Sequence, residues 1–167
     1  TTIGDWAFYD CYRLTSITIP DSVTTIGYRA FASCYSLTSI TVDVNNPSYS
    51  SDNGVLFNKN KTTLIQYPIG NDDTTYTIPN SVTTIGSGAF DMCDRLTSIT
   101  IPDSVTTIGD SAFTRCASLT SIAIPDSVTT IGDTAFSSCL GLKSITIPNS
   151  VTTIGDYAFS DCHSLTS

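Results

Sequence analysis

Along residues 96–118 the apolar positions follow two rhythms. Leu96, Ile99 and Ile101 are spaced by the polar Ser98 and Thr100, the alternation of a half-buried strand. Pro102 ends this strand because it brings no amide hydrogen to a ladder, and Asp103-Ser104 turns the chain. Val105 and Ile108 then bracket Thr106-Thr107, which predicts a second short extended segment. Gly109 supplies a turn. Asp110 stands where an N-cap would open a short helical or 3-10 segment carrying Ala112, Phe113 and Cys116.

The same pattern returns every 23 residues: LTSIAIPDSVTTIGDTAFSSCLG at 119–141, LKSITIPNSVTTIGDYAFSDCHS at 142–164 and LTSITIPDSVTTIGYRAFASCYS at 14–36. One unit cannot bury its own apolar set. Stacked copies can, by forming continuous ladders of Leu, Ile, Val, Phe and Cys. The expected architecture is an α/β-type repeat solenoid, right-handed and slightly curved. It has a parallel strand ladder, mostly β and turns, with short helical or 3-10 segments on the opposite side. It is one domain over 1–167: a partial coil 1–13, coils 14–36, 37–63, 64–95, 96–118, 119–141 and 142–164, and a partial coil 165–167. The two middle coils are enlarged. In them Leu56-Phe57 is expected to replace Ala-Phe and Asn60 to replace Cys, with extra residues at 45–53 and 68–75. Residues 55–58 and 63–67 flank Lys59-Asn60-Lys61, which predicts a hairpin. Neither end shows an evident polar cap, which predicts a piece of a longer array or self-association of exposed coil faces into filaments.

A strand LxxIxIP followed by VTxIGxxAFxxC resembles the leucine-rich repeats of BspA-like bacterial surface proteins. The resemblance covers nearly the whole chain, including GVLFNKNKTTLIQYP at 54–68. It implies a cell-surface or secreted leucine-rich-repeat protein that contacts host matrix proteins, such as fibronectin or fibrinogen, or other cells. It brings no catalytic motif, so it implies a non-enzymatic scaffold. A structural spacer or filament subunit is the alternative.

Charge narrows the partners. Only 13% of residues are charged, and the formal net charge is −8. No basic face is available to neutralise phosphates, so neither nucleic acid nor an anionic membrane surface is an expected partner. No apolar run approaches the roughly 18 residues a membrane span requires, so no membrane insertion is expected within this segment.

Several columns invite chemical readings. Cys11, Cys34, Cys93, Cys116, Cys139 and Cys162 recur with the repeat and not with any CxxC spacing. They read as small buried hydrophobes, with disulfides between coils as the rival. Asp110, Asp133 and Asp156 form one acidic column, and Asp103 and Asp126 another. Stacked carboxylates attract calcium, but capping and turn formation explain both columns, so no metal or cofactor is expected. His163 is the only histidine and has no paired nucleophile. The strand face carries Ser16/Thr18, Ser39/Thr41, Ser98/Thr100, Ser121/Ala123 and Ser144/Thr146. Such hydroxyls suit an ice-binding array as well as an ordinary solvated sheet.

The variable positions are more telling. Near the start they carry Trp6, Tyr9, Tyr12, Arg13, Tyr28, Arg29 and Tyr35, where later coils place mostly small or acidic residues. Trp, Tyr and Arg dominate binding hot spots, so these residues form the first candidate partner surface. Trp6 and Arg29 are one period apart, as are Tyr12 and Tyr35, and each pair is expected to stack. The alternative is packing against a preceding coil. The insertion, with Lys59 and Lys61 in its hairpin, is the second candidate. Asn60-Lys61-Thr62 is also a glycosylation sequon, meaningful only in a eukaryotic secretory route.

Overall fold

In the computed structural model, which describes residues 1–167, the chain winds into a β-solenoid with two parallel ladders per coil. The LxxIxI segments form the first ladder: β2 (Ser16–Ile19), β4 (Ser39–Val42), β8 (Thr75–Thr77), β10 (Ser98–Thr100), β12 (Ser121–Ala123) and β14 (Ser144–Thr146). The Thr-Ile pairs before each glycine form the second: β1 (Thr2–Ile3), β3 (Thr25–Ile26), β7 (Thr63–Gln66), β9 (Thr84–Ile85), β11 (Thr107–Ile108), β13 (Thr130–Ile131) and β15 (Thr153–Ile154). Equivalent residues pair across coils, Ser98 with Ser121 and Thr107 with Thr130. Identical side chains therefore stack: Phe90, Phe113, Phe136 and Phe159 lie 5.1, 5.1 and 5.3 Å apart in near-parallel pairs. Their ladders are the core, with Val105, Ile108, Ala112, Phe113, Cys116 and Leu119 all fully buried.

The expected helical segment is absent, and its absence has a clear cause. In residues 109–116 every second amide bonds within the coil: Ala112, Thr114 and Cys116 donate to the carbonyls three residues back. The amides between them leave the coil: Ser111, Phe113 and Arg115 donate to Asp133, Ala135 and Ser137 at 2.7, 2.7 and 2.8 Å. A helix needs every amide to bond four residues back in its own segment. Here the neighbouring coil takes half of them. The chain alternates hand to aim them outward, and Ser111 and Arg115 sit at φ 54° and 59°. Asp110 consequently caps no helix. The turn also demands glycine where two coils approach: a Cβ on Gly132 would lie 2.6 Å from the Asp110 backbone nitrogen and 2.7 Å from the Gly109 carbonyl carbon.

The middle of the chain differs from the two enlarged coils expected. Thr63-Leu64 pairs with Thr84-Ile85, so Leu64 belongs to the second ladder and does not begin a coil. Thr75-Tyr76-Thr77 pairs with Ser98-Ile99-Thr100, which places the next coil start near Asp73. The excess therefore lies in a single coil, 37–72. Tyr67, not Phe57, occupies the aromatic column: its amide donates to Ala89 as those of Phe90 and Phe113 do to Ala112 and Ala135, and it stacks on Phe90 at 5.3 Å. Asn60 lies at an exposed hairpin tip and takes no cysteine's place.

The inserted residues fold as an antiparallel hairpin, β5 (Tyr49–Asp52) and β6 (Val55–Asn58), joined by Asn53-Gly54 at φ 47° and 81°. Two positive φ values in a two-residue loop define the turn that matches strand twist. β6 then pairs with β7 through the hairpin expected around Lys59-Asn60-Lys61. The β5–β6 hairpin enters between coils. Gly54 accepts the Ile40 amide and Ser51 the Val42 amide, so β4 pairs with β2 alone and never meets β8. The apolar run Val55-Leu56-Phe57 follows from this position: Leu56 packs into the N-terminal core, while Val55 and Phe57 face the C-terminal one. The strand hydroxyl face is thereby split into a two-strand and a four-strand sheet.

Candidate functional site

The turn between the second strand and the cysteine carries each coil's variable side chains. On the first two turns those side chains are aromatic or Arg. Trp6 meets Tyr9 edge-on at 5.4 Å and Tyr28 edge-on at 5.6 Å. The Arg29 guanidinium lies 5.5 Å from the Trp6 ring and 5.7 Å from the Tyr28 ring. Trp6, Tyr9 and Tyr28 remain 42%, 56% and 45% exposed, so Trp6 packs on both tyrosines while all three stay open to solvent.

Trp6 and Arg29 thus meet as their spacing predicts. Tyr12 and Tyr35 do not stack together: Tyr12 lies under Arg13 at 5.7 Å, and the Tyr35 hydroxyl reaches the Met92 sulfur at 3.3 Å. Both tyrosines are exposed. The lysines are not part of this cluster. Lys59 Nζ donates to the carbonyls of Val44 and Asn46, and Lys61 Nζ pairs with Asp52 at 2.8 Å. Both spend their charge inside the insertion. Asn46, fully buried, anchors the same loop: its Nδ2 donates to Pro20 and Val23, and its Oδ1 accepts the amides of Ser48 and Tyr49.

Arg29 has a second task that the sequence alone conceals. It forms an ion pair with Asp91 at 2.9 Å, two coils away. Burial pushes the Asp91 carboxyl above its ordinary value despite the opposing pull of Arg29 and Arg115. The reach across an intervening coil is possible because coil 37–72 is short at this edge. Ile85 and Phe90 are five positions apart in a regular coil, but Leu64 and Tyr67 only three. A sequence signal existed: aligning Tyr67 with the phenylalanines would have revealed the shortfall.

The remaining columns are used internally. The Asp110 carboxylate accepts the Asp133 amide at 3.0 Å, Asp133 accepts the Asp156 amide at 2.8 Å, and Asp5 accepts the Tyr28 amide at 2.7 Å. These aspartates cap the next coil. No three His, Cys or carboxylate side chains converge to hold a metal. The Cys116, Cys139 and Cys162 thiols each donate to the carbonyl of the phenylalanine one coil back, at 3.1 Å, and all six cysteines are free. Burial pushes Cys93 and Cys116 far above the usual thiol range and Cys139 to about 12, so they are not thiolate nucleophiles at neutral pH. His163 is exposed. No helix is long and apolar enough to cross a membrane.

A family model described as the BspA type leucine rich repeat region matches residues 1–71 and 69–167 in six copies. Among solved structures, a leucine-rich repeat protein from Eubacterium ventriosum aligns over 99% of this chain and 44% of its own, at 40% identity and a TM-score of 0.93. The pneumococcal vaccine antigen PcpA aligns over 90% of this chain and 37% of its own, at 33% identity and a TM-score of 0.86. A leucine rich cell surface protein from Faecalibacterium prausnitzii aligns over 99% of this chain and 50% of its own, at 36% identity and a TM-score of 0.69. This chain therefore spans half the length of these proteins or less. No curated protein matches it.

Proposed function

The chain belongs to the BspA-type leucine-rich-repeat family, and from that membership we propose that it is a non-enzymatic protein-binding scaffold of a bacterial surface protein, contacting its partner through Trp6, Tyr9, Tyr28 and Arg29. One observation carries this reading: Trp6 packs edge-on against Tyr9 and Tyr28, all three rings stay about half exposed, and one guanidinium lies over Trp6 and Tyr28. Rigid aromatic side chains offer large contact area at small entropic cost, and Trp, Tyr and Arg are the commonest anchors of interfaces. The turn bearing Trp6 and Tyr9 is hydrogen-bonded to the turn bearing Tyr28 and Arg29, so the patch is preorganised. Surface location is supported by the descriptions of PcpA as a vaccine antigen and of the Faecalibacterium protein as a cell surface protein. Tyr12, Arg13 and Tyr35 are exposed as well.

The test is surface plasmon resonance of the purified chain over immobilised fibronectin and fibrinogen. Saturable binding to at least one is expected, with the Trp6→Ala/Tyr28→Ala variant weakened about 30-fold, the loss of roughly 2 kcal/mol typical of a hot spot. Tyr157→Ala, which removes an isolated ring 75% exposed, should change nothing. Circular dichroism confirms folding of each variant. Absence of binding to both proteins, or unchanged binding by the double variant, sinks the reading and leaves a spacer.

A further inference from the structure

We propose that the gap left by the short turn of coil 37–72 is a peptide-binding notch, which takes a neutral main-chain segment of a partner in place of the two residues that coil lacks. In the coil turns at 4–11, 86–93, 109–116 and 132–139 the outward amides find carbonyls on the next coil. Trp6, Gly88, Ser111 and Thr134 donate to Tyr28, Asp110, Asp133 and Asp156, and Phe8, Phe90, Phe113 and Phe136 donate to the alanines of the next coil. In coil 14–36 the equivalent amides of Arg29 and Phe31 have no acceptor on the next coil or elsewhere in the chain. Phe31 is only 1% exposed. A buried amide without a partner is costly and rare.

These two residues line a cavity of about 220 Å³. Its lining combines the apolar Ile26, Phe31 and Ile65 with Tyr28, Gln66 and Ser87. That is roughly the room two small residues occupy at protein packing density. Arg29 Nε adds a third donor without an acceptor. Against these three donors stands one acceptor without a donor, Asp91 Oδ1, and the guanidinium is already neutralised by Asp91 at 2.9 Å. An occupant offering carbonyl oxygens without a full negative charge fits this balance. Alternating amides of one edge would bond its carbonyls as an added strand bonds a sheet edge, with a small apolar side chain against Ile65. Tyr28 and Arg29 of the aromatic cluster line the notch, so it deepens the protein-binding reading and rests on it.

The experiment is amide NMR of the folded chain titrated with the blocked tripeptide acetyl-Ala-Val-Ala-amide, with sodium acetate as the anion arm. Saturable shifts are expected at the Arg29, Phe31 and Ser87 amides with the tripeptide and not with acetate. Ile65→Trp fills the cavity from its wall and Ser87→Trp closes it from an exposed lip, so at least one of them tests the notch without disturbing the core. Each folded variant should weaken tripeptide binding about tenfold or more. No saturable shift at Arg29 and Phe31, equal shifts with acetate, or undiminished binding by a folded filling variant overturns the proposal. The outcome is distinguishable from that of the matrix-protein assay: tripeptide binding without fibronectin or fibrinogen binding would sink the reading of the aromatic cluster and leave the notch standing.

Discussion

Gly4 and Gly132 hold the same place in the motif, yet their surroundings differ. A Cβ on Gly4 would meet nothing within 4 Å, whereas one on Gly132 would press on the backbone of the preceding coil. Gly132→Ala should therefore cost about 1–3 kcal/mol of unfolding free energy, as overpacking does. Gly4→Ala should cost far less, and urea denaturation of both variants checks the contrast. The cysteine column makes a second demand. Its buried thiols keep their protons well past the ordinary value of 9.0, Cys139 to about 12. The folded state thus holds protons that the unfolded chain releases first, and stability falls wherever that difference exists. The urea midpoint should be flat up to about pH 8.5 and decline between 9 and 12, within the window set by these thiols. Cys116→Ala/Cys139→Ala should flatten part of that decline. An equal slope in the double variant would show that other groups govern it.

At the scale of elements, β6 is the unusual strand. It is bonded antiparallel on both sides, to β5 and β7, in an otherwise parallel ladder, and its two faces serve different cores. Leu56→Ala and Phe57→Ala should each cost about 3–5 kcal/mol, in the range for large buried side chains, but in different places. Hydrogen exchange should speed up mainly in residues 14–36 for Leu56→Ala and mainly in 73–118 for Phe57→Ala. Uniform acceleration by both would mean that the two cores open as one unit. The dipeptide Asn53-Gly54, flanking the run Val55-Leu56-Phe57, was the legible sign of this hairpin; reading 45–53 as mere extra residues missed it. The Ala-Phe segment misled in the opposite direction. Its Asp, Ala and Phe pattern reads as a capped helical turn, but local pattern cannot register that an adjacent coil offers carbonyls to every second amide.

For the whole molecule, the repeat made the solenoid readable. A 23-residue period with aligned Leu, Ile, Phe and Cys has one economical solution, because each unit's apolar set can be buried only by its neighbours. The period also located the exposed aromatic residues, since a residue that varies while its column neighbours persist lies outside the ladders. The seam between the two cores was beyond that logic. Where the period fails, register depends on which strands meet, and only the folded chain shows Leu64 beside Ile85 and Tyr67 above Phe90. The Arg29–Asp91 pair, the unpaired amides of Arg29 and Phe31 and the cavity beside them all follow from that register. Periodic burial is a property of residue order, so the sequence by itself determined the coil, its core columns and its outward positions. The break in the period, and the notch it opens, were decided by tertiary contacts between residues far apart in the chain, whose pairing energy no local pattern encodes.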